Sequence, residues 1–142
     1  MTEAAGVDLR DPASYTHWTE VTIRFGDEDR LGHVNNAAYA TWLEASRVMF
    51  IRELLGEAIG HIVLARITID YLQETRFPGT VRIGARMQAV GNRSFRSVYG
   101  VFRDDTCLAT ADCVNVFFDP VARGSAAPSP EARAALLAAL SR

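Results

Sequence analysis

The sequence predicts an α+β fold in which an antiparallel five-stranded sheet wraps around a long central helix. The first observation is one long helical pattern, which begins near Asn36 and ends at Leu55, before Gly56. The second is that the chain from His61 to Asp119 alternates in hydrophobicity and is broken only by turn signals. Because no further helices connect these strands, the pattern favours an antiparallel sheet over a parallel α/β arrangement.

The chain before the long helix contributes one strand. Residues 1–16 lack periodicity and are predicted to be a loose N-terminal lead-in, which leaves 17–142 as a single domain with a short C-terminal helix. The segment from His17 to Phe25 places Val21, Ile23 and Phe25 on one face, as expected of a half-buried strand.

Four strands are predicted after the long helix, with turn signals at Phe77-Pro78-Gly79 and Gly91-Asn92-Arg93. Their predicted ranges are 61–72, 80–90, 94–103 and 106–119. Ser129 and Pro130 are typical of a helix start, and the helix that follows is predicted to run through Leu140. A five-stranded open sheet leaves an unpaired edge, which favours a homodimer or homotetramer that pairs or covers such edges.

The composition excludes several classes of protein. At 142 residues, 49% hydrophobic and 23% charged, the chain is typical of one globular domain and not of a disordered protein. A net charge of −2 argues against nucleic-acid binding, and no apolar run has the length to span a bilayer. The N-terminus has no basic or apolar signal region, and Cys107 and Cys113 fit neither a zinc nor a redox motif, so a cytoplasmic protein with reduced thiols is expected.

Chemically active residue types are concentrated in one loop, between the first strand and the long helix. The segment from Gly26 to Gly32 contains three acidic residues, and His33, Asn35 and Asn36 follow it. Glycine permits backbone angles and close approaches that other residues do not. Asparagine is a good N-cap, and a helix start has unpaired N–H groups that suit a developing oxyanion.

The segment from Phe25 to Asn36, followed by Tyr39 and Trp42-Leu43-Glu44, resembles the hotdog-fold acyl-CoA thioesterases of the 4-hydroxybenzoyl-CoA thioesterase type. The resemblance implies a hotdog fold that hydrolyses an acyl-CoA thioester to a free acid and coenzyme A. It also implies that Asp29 is the catalytic carboxylate and that the Asn36 backbone N–H is the oxyanion donor. Asp29 then acts either as a nucleophile on the thioester carbonyl or as a general base on water.

The same run is similar to the plant acyl-ACP thioesterases, which have an Asp and a His at the positions of Asp29 and His33. Those enzymes have a catalytic Asn where this chain has Leu31, so their full mechanism does not transfer. His33 is therefore a candidate catalytic residue that holds water near Asp29, or simply a polar residue satisfied by the loop backbone.

Substrate-binding residues are also predicted. Tyr39, Trp42 and Leu43 are candidates for an acyl channel, although their helical spacing is equally typical of core residues. By analogy with basic strand ends in relatives, four further positions are candidates for coenzyme A phosphate contacts: Arg76, Asn92, Arg93 and Ser94. No cofactor and no metal site are predicted. The alternative functions are an acyl-ACP thioesterase, a hotdog hydratase or dehydratase, and a non-catalytic acyl-binding hotdog protein.

Overall fold

The structure, a computed structural model, describes residues 1–141. That part of the chain forms seven strands and two α-helices. In chain order they are β1 (Thr2–Glu3), β2 (His17–Thr22), α1 (Asn36–Leu55), β3 (Ile62–Tyr71), β4 (Thr80–Val90), β5 (Ser94–Arg103), β6 (Thr106–Asp119), β7 (Gly124–Ser125) and α2 (Pro130–Ala139).

All strand pairs are antiparallel. The long strands lie in the order β4-β5-β6-β3, β2 and the short β1 both pair with β4, and β7 pairs with the end of β6. The core lies between α1 and this sheet, and it includes Leu43 and Phe50 from the helix and Ile83, Tyr99 and Ala111 from the strands. The predicted α+β hotdog fold, with five main strands around one central helix, is confirmed.

The long helix begins and ends where its capping residues predict. Asn35 is the N-cap, and its side-chain oxygen accepts a 2.6 Å hydrogen bond from the Ala37 N–H. Gly56 terminates the helix at a φ of 51°, which glycine adopts without the steric cost other residues have. The N-terminus of α1 is therefore fixed in position, and this matters for the site described below.

We expect Asn35→Ala to lower the free energy of unfolding by about 1 kcal/mol, because the variant loses this capping bond. Urea denaturation monitored by circular dichroism measures the change. Asn36→Ala is the matched control, since the exposed side chain of Asn36 makes no hydrogen bond within the described residues. Equal midpoints for the two variants would contradict the assigned cap.

The first long strand is shorter than its alternation predicts. β2 ends at Thr22, and Phe25 begins a single 3₁₀ turn in which it is 80% exposed. The cause is the buried Asp27 carboxylate, which accepts a 2.8 Å hydrogen bond from the Arg24 N–H and folds the chain back. The expectation that Phe25 continues the buried face of the strand is therefore wrong.

The N-terminal segment is held against the sheet instead of being a loose lead-in. β1 pairs with the end of β4, and the Tyr15 ring packs over the facing pair Gly84 and Gly100, where a Cβ atom would lie within 2.7 Å of Tyr15. The Tyr15 hydroxyl donates a 2.5 Å hydrogen bond to the Leu9 carbonyl. The segment is held by one aromatic side chain that packs on two glycines of other strands. A contact of this kind produces no periodic pattern in the sequence.

β3 is an edge strand whose side chains are largely exposed. It pairs only with β6, and a register shift between Leu64 and Arg66 interrupts the ladder. Val63 is 43% exposed and Ile67 is 36% exposed, although alternation predicts a half-buried strand. Among residues 1–141 no further strand pairs with this edge, which leaves a partly exposed apolar strand available for pairing.

The C-terminal helix begins as predicted, with Ser129 as N-cap and Pro130 in its first position. Its apolar stripe packs against α1 and β4, and Leu136 is fully buried whereas Leu137 stays 37% exposed. Among the described residues, neither helix combines the length and the apolar character that crossing a bilayer requires.

Candidate active site

Asp29 lies at the first position of a tight turn between β2 and α1. The Gly32 N–H donates a 3.2 Å hydrogen bond to the Asp29 carbonyl, and Gly32 adopts a φ of 84°, as the glycine at this position predicts. One carboxylate oxygen of Asp29 accepts a 2.8 Å bond from the Leu31 N–H. The side chain is 31% exposed, so the carboxylate is partly desolvated. Its second oxygen does not take part in this hydrogen bond and can react with a substrate or a water.

This loop is anchored by the chain that follows β3. The Val34 N–H donates to the Thr75 carbonyl at 2.8 Å, and the Phe77 N–H donates to the Glu28 carboxylate at 3.2 Å. The Arg76 guanidinium donates a 2.6 Å bond to the Gly32 carbonyl. The turn that carries Asp29 is thus held from both sides, which limits how far the carboxylate can move.

A crevice of about 160 Å³ lies at the N-terminus of α1, between the helix and the end of β3. Asn36 is exposed in its wall, and within residues 1–141 its backbone N–H makes no hydrogen bond. A free N–H at a helix N-terminus is a suitable donor to a carbonyl oxygen that gains negative charge. The crevice therefore presents one feature that thioester hydrolysis requires.

His33 connects Asp29 to the crevice. Its Nδ1 donates a 3.2 Å hydrogen bond to the Val34 carbonyl and lies 3.9 Å from the second oxygen of Asp29. Its Nε2 lies 3.9 Å from the carboxylate of Glu74. Both His33 and Glu74 line the crevice, whereas Asp29 does not line it and is next to it only through His33.

Two tyrosines form the inner wall of the crevice. The Tyr71 hydroxyl donates a 3.0 Å hydrogen bond to the Asn36 carbonyl, and its ring packs edge-on against Tyr39 at 5.4 Å. Burial raises the pKa of the Tyr39 phenol, and the nearby Tyr71 and Glu74 add to this effect. Tyr39 is therefore neutral at ordinary pH and donates a long 3.4 Å bond to the Gln73 carbonyl.

The other predicted substrate-binding residues lie in three different places. Trp42 and Leu43 are buried core residues of α1, at 3% and 1% exposure, and Arg76 lies beside the Asp29 turn. Asn92, Arg93 and Ser94 lie at the opposite end of the sheet. Ser94 pairs with Val116 of β6, whereas Tyr71 of the crevice pairs with Ala109 of the same strand. These two positions on β6 are about 23 Å apart.

Sequence reasoning missed Tyr71 and Glu74 as residues of the crevice. Alternation predicts Tyr71 only as one of the apolar residues of a strand, and an acidic residue such as Glu74 in a turn is too common to be a signal. Each reaches the helix N-terminus from more than thirty positions further along the chain. The pairing of β3 with β6 and the hydrogen bonds from the segment after β3 to the Asp29 loop bring them there.

The comparisons with known proteins identify the class. A family model described as the thioesterase-like superfamily matches residues 23–139, most of the chain. The chain therefore belongs to the thioesterase-like superfamily, and solved thioesterases share the hotdog arrangement described above. No curated protein matches the chain significantly.

Solved structures agree with this family. A thioesterase from Thermus thermophilus, crystallised with coenzyme A and zinc, is 30% identical, with a TM-score of 0.76 over 88% of this chain and 94% of its own. A thioesterase superfamily protein from Jannaschia is 25% identical, with a TM-score of 0.80 over 92% of this chain and 86% of its own. A predicted thioesterase from Bacillus stearothermophilus has the same fold, at 21% identity and a TM-score of 0.79 over 86% of this chain and 94% of its own. Among residues 1–141, no group of three or more His, Cys, Asp or Glu side chains has an arrangement that could hold a metal ion.

Proposed function

We propose that this protein is an acyl-CoA thioesterase that hydrolyses an acyl-CoA thioester to a free acid and coenzyme A. The observation that carries the proposal is the free Asn36 N–H in a crevice next to the turn that holds Asp29. Membership of the thioesterase-like superfamily supports it, as does the Thermus thermophilus relative crystallised with coenzyme A.

The thioester carbonyl oxygen would accept a hydrogen bond from the Asn36 N–H, which stabilises the tetrahedral oxyanion. The free oxygen of Asp29 then either attacks the carbonyl carbon and expels the thiolate, or takes a proton from the attacking water. In the first route water opens the resulting anhydride and restores the carboxylate. In either route His33, which lines the crevice and lies 3.9 Å from Asp29, would hold a water between the two.

Arg76, which lies beside the Asp29 turn, is suited to a phosphate of coenzyme A entering from this side. The Asn92-Arg93-Ser94 hairpin lies at the other end of the sheet from the crevice within one chain, about 23 Å away along β6. Antiparallel pairing of two β3 edges about a two-fold axis would place the Ile62 end of one subunit beside the Tyr71 end of the other. Because the hairpin adjoins the Ile62 end, it would then approach the other subunit's crevice.

We expect Ile67→Lys to convert a dimer into a monomer, because a charge at the centre of an apolar edge strand opposes strand pairing. Sedimentation velocity measures the change. Arg30→Lys, at an exposed loop position, is the control for handling and expression. A wild-type protein that already sediments as a monomer would contradict the edge-paired dimer.

The test of the proposed function is release of free thiol from a panel of acyl-CoA thioesters of graded length, with aromatic members included. Coenzyme A appears only if the protein is a thioesterase. Hydration of an enoyl-CoA without thiol release would indicate the hydratase alternative, and binding without turnover would indicate an acyl-binding protein. Repeating the panel with acyl carrier protein thioesters separates the two thioesterase classes.

A further inference from the structure

A second cavity also lies between α1 and β3, further along the helix than the crevice, and it shares no lining residue with the crevice. It has a volume of about 180 Å³, and Leu43 and Ile67 contribute to its apolar wall. Ala40 and Glu44 of this cavity lie on the same face of the helix as Asn36, four and eight positions further on, and Ile67 lies on the same face of β3 as Tyr71. An acyl chain whose carbonyl lies at the Asn36 N–H and that follows this face would therefore reach the cavity.

Arg47 lines this cavity and, of its α1 residues, lies furthest along the helix from Asn36. It lies eleven residues after Asn36 on the same helix, which is about 16 Å along the axis. Side chains of a helix tilt toward its N-terminus, so the guanidinium group comes closer to the crevice than its backbone does. Arg47 is only 8% exposed although it carries a permanent charge.

The guanidinium group of Arg47 is poorly satisfied by the protein. Its one hydrogen bond, to the side-chain oxygen of Asn115, is long at 3.4 Å. The Glu44 carboxylate lies 3.6 Å away, and the buried Nε makes no hydrogen bond within the described residues. A buried charge needs close, well-aligned acceptors to offset the loss of hydration, and Arg47 has too few.

The other groups around Arg47 do not supply the missing hydrogen-bond acceptors. Asn115 is held in place because its amide donates to Ser97 at 3.0 Å. Burial raises the pKa of the Cys113 thiol to about 11, with Arg47 acting in the opposite direction, so the thiol is neutral at ordinary pH. The Glu44 side chain is 68% exposed and so is free to turn toward solvent. Arg47 is the fixed charge in the cavity wall.

We propose that Arg47 binds a carboxylate at the far end of the acyl chain, so that the substrates are thioesters of dicarboxylic acids. This inference rests on the proposed function and names its substrate class. The apolar wall accommodates the methylene chain, and the guanidinium group pairs with the terminal carboxylate in place of Glu44. The Glu44 carboxylate then acts as a competing group at the rim of the cavity.

The test compares chains that differ only in the terminal carboxylate: adipoyl-CoA with hexanoyl-CoA, suberoyl-CoA with octanoyl-CoA, and sebacoyl-CoA with decanoyl-CoA. We expect the wild-type protein to have a higher kcat/KM for the dicarboxylic member of at least one pair. The ratio of the dicarboxylic to the monocarboxylic kcat/KM is the measured preference. Arg47→Gln should lower this ratio about tenfold to a hundredfold, as loss of a charged hydrogen bond implies. Arg47→Lys should retain part of the preference.

Glu44→Gln is the complementary variant, and its exposed position keeps the substitution away from the core. Removal of the competing carboxylate should raise the same ratio. A fall in the ratio would overturn the proposal, because it would mean that Glu44 accepts a hydrogen bond from the ligand. Equal kcat/KM values within every pair in the wild-type protein would likewise overturn the proposal.

Calorimetry with a free acid and its amide separates this inference from the proposed function. Octanoate should bind more tightly than octanamide, which has the same chain and no charge, and Arg47→Gln should remove the difference. If no thioester in the panel releases thiol but octanoate is still preferred over octanamide, the proposed function fails and the carboxylate site stands. If thiol is released but neither the kcat/KM ratio nor the preference for octanoate depends on Arg47, the thioesterase stands and the carboxylate site fails.

Discussion

Asp29→Asn should lower kcat by about a hundredfold to ten-thousandfold, the range expected when a positioned acid–base group is lost. An amide neither attacks a thioester carbonyl nor takes a proton from water, so both routes open to Asp29 are blocked. The fold should be unaffected, because the Asn side-chain oxygen can still accept the hydrogen bond from the Leu31 N–H. Steady-state thiol release and a thermal melt measure the two effects.

Two matched variants make this result specific. Arg30→Gln alters an exposed neighbour in the same turn that makes no hydrogen bond or ion pair within the described residues, so its kcat should stay near the wild-type value. His33→Ala separates the roles of the pair: a kcat that falls as far as in Asp29→Asn would indicate that His33 takes part in the reaction. A near-normal kcat for Asp29→Asn would remove Asp29 from the mechanism and leave Glu74 as the carboxylate that lines the crevice.

Capping and turn residues predicted the elements whose ends depend only on residues close by in the sequence. The capping asparagine and the terminating glycine gave α1 its observed bounds of Asn36–Leu55. The turn sequences gave β4, β5 and β6 the observed ends, since each hairpin fixes its own register. The Asp29 turn was predicted for the same reason, because its geometry depends on Gly32 and on neighbouring backbone groups.

Features that depend on distant contacts were not accessible from the sequence. Tyr15 is buried because two glycines on β4 and β5 leave room for its ring, and neither glycine is near it in the chain. Alternation in β3 predicts an apolar face but not that this strand lies at the edge of the sheet with much of that face exposed. The partial pairing of Arg47 is likewise a property of α1 packing on β6, which periodicity does not reveal.

Asn36→Pro should lower kcat about a hundredfold to a thousandfold, the cost of removing one oxyanion donor. Proline at the first position of a helix is well tolerated, because the N–H that it lacks has no partner in the helix. The residue before a proline must be extended, and Asn35 already has a φ of −73° and a ψ of 148°. The substitution therefore deletes one N–H while α1 and its cap are retained.

The control for this variant is Asn36→Ala, which removes the side chain but keeps the backbone N–H. It should retain turnover near the wild-type level, whereas Asn36→Pro loses it, and both should melt close to the wild-type temperature. Because the loss concerns the transition state, kcat and kcat/KM should fall together, with little change in KM. Equal kcat values for the proline and alanine variants would show that the α1 N-terminus does not stabilise the oxyanion, since only the N–H distinguishes the two in the crevice.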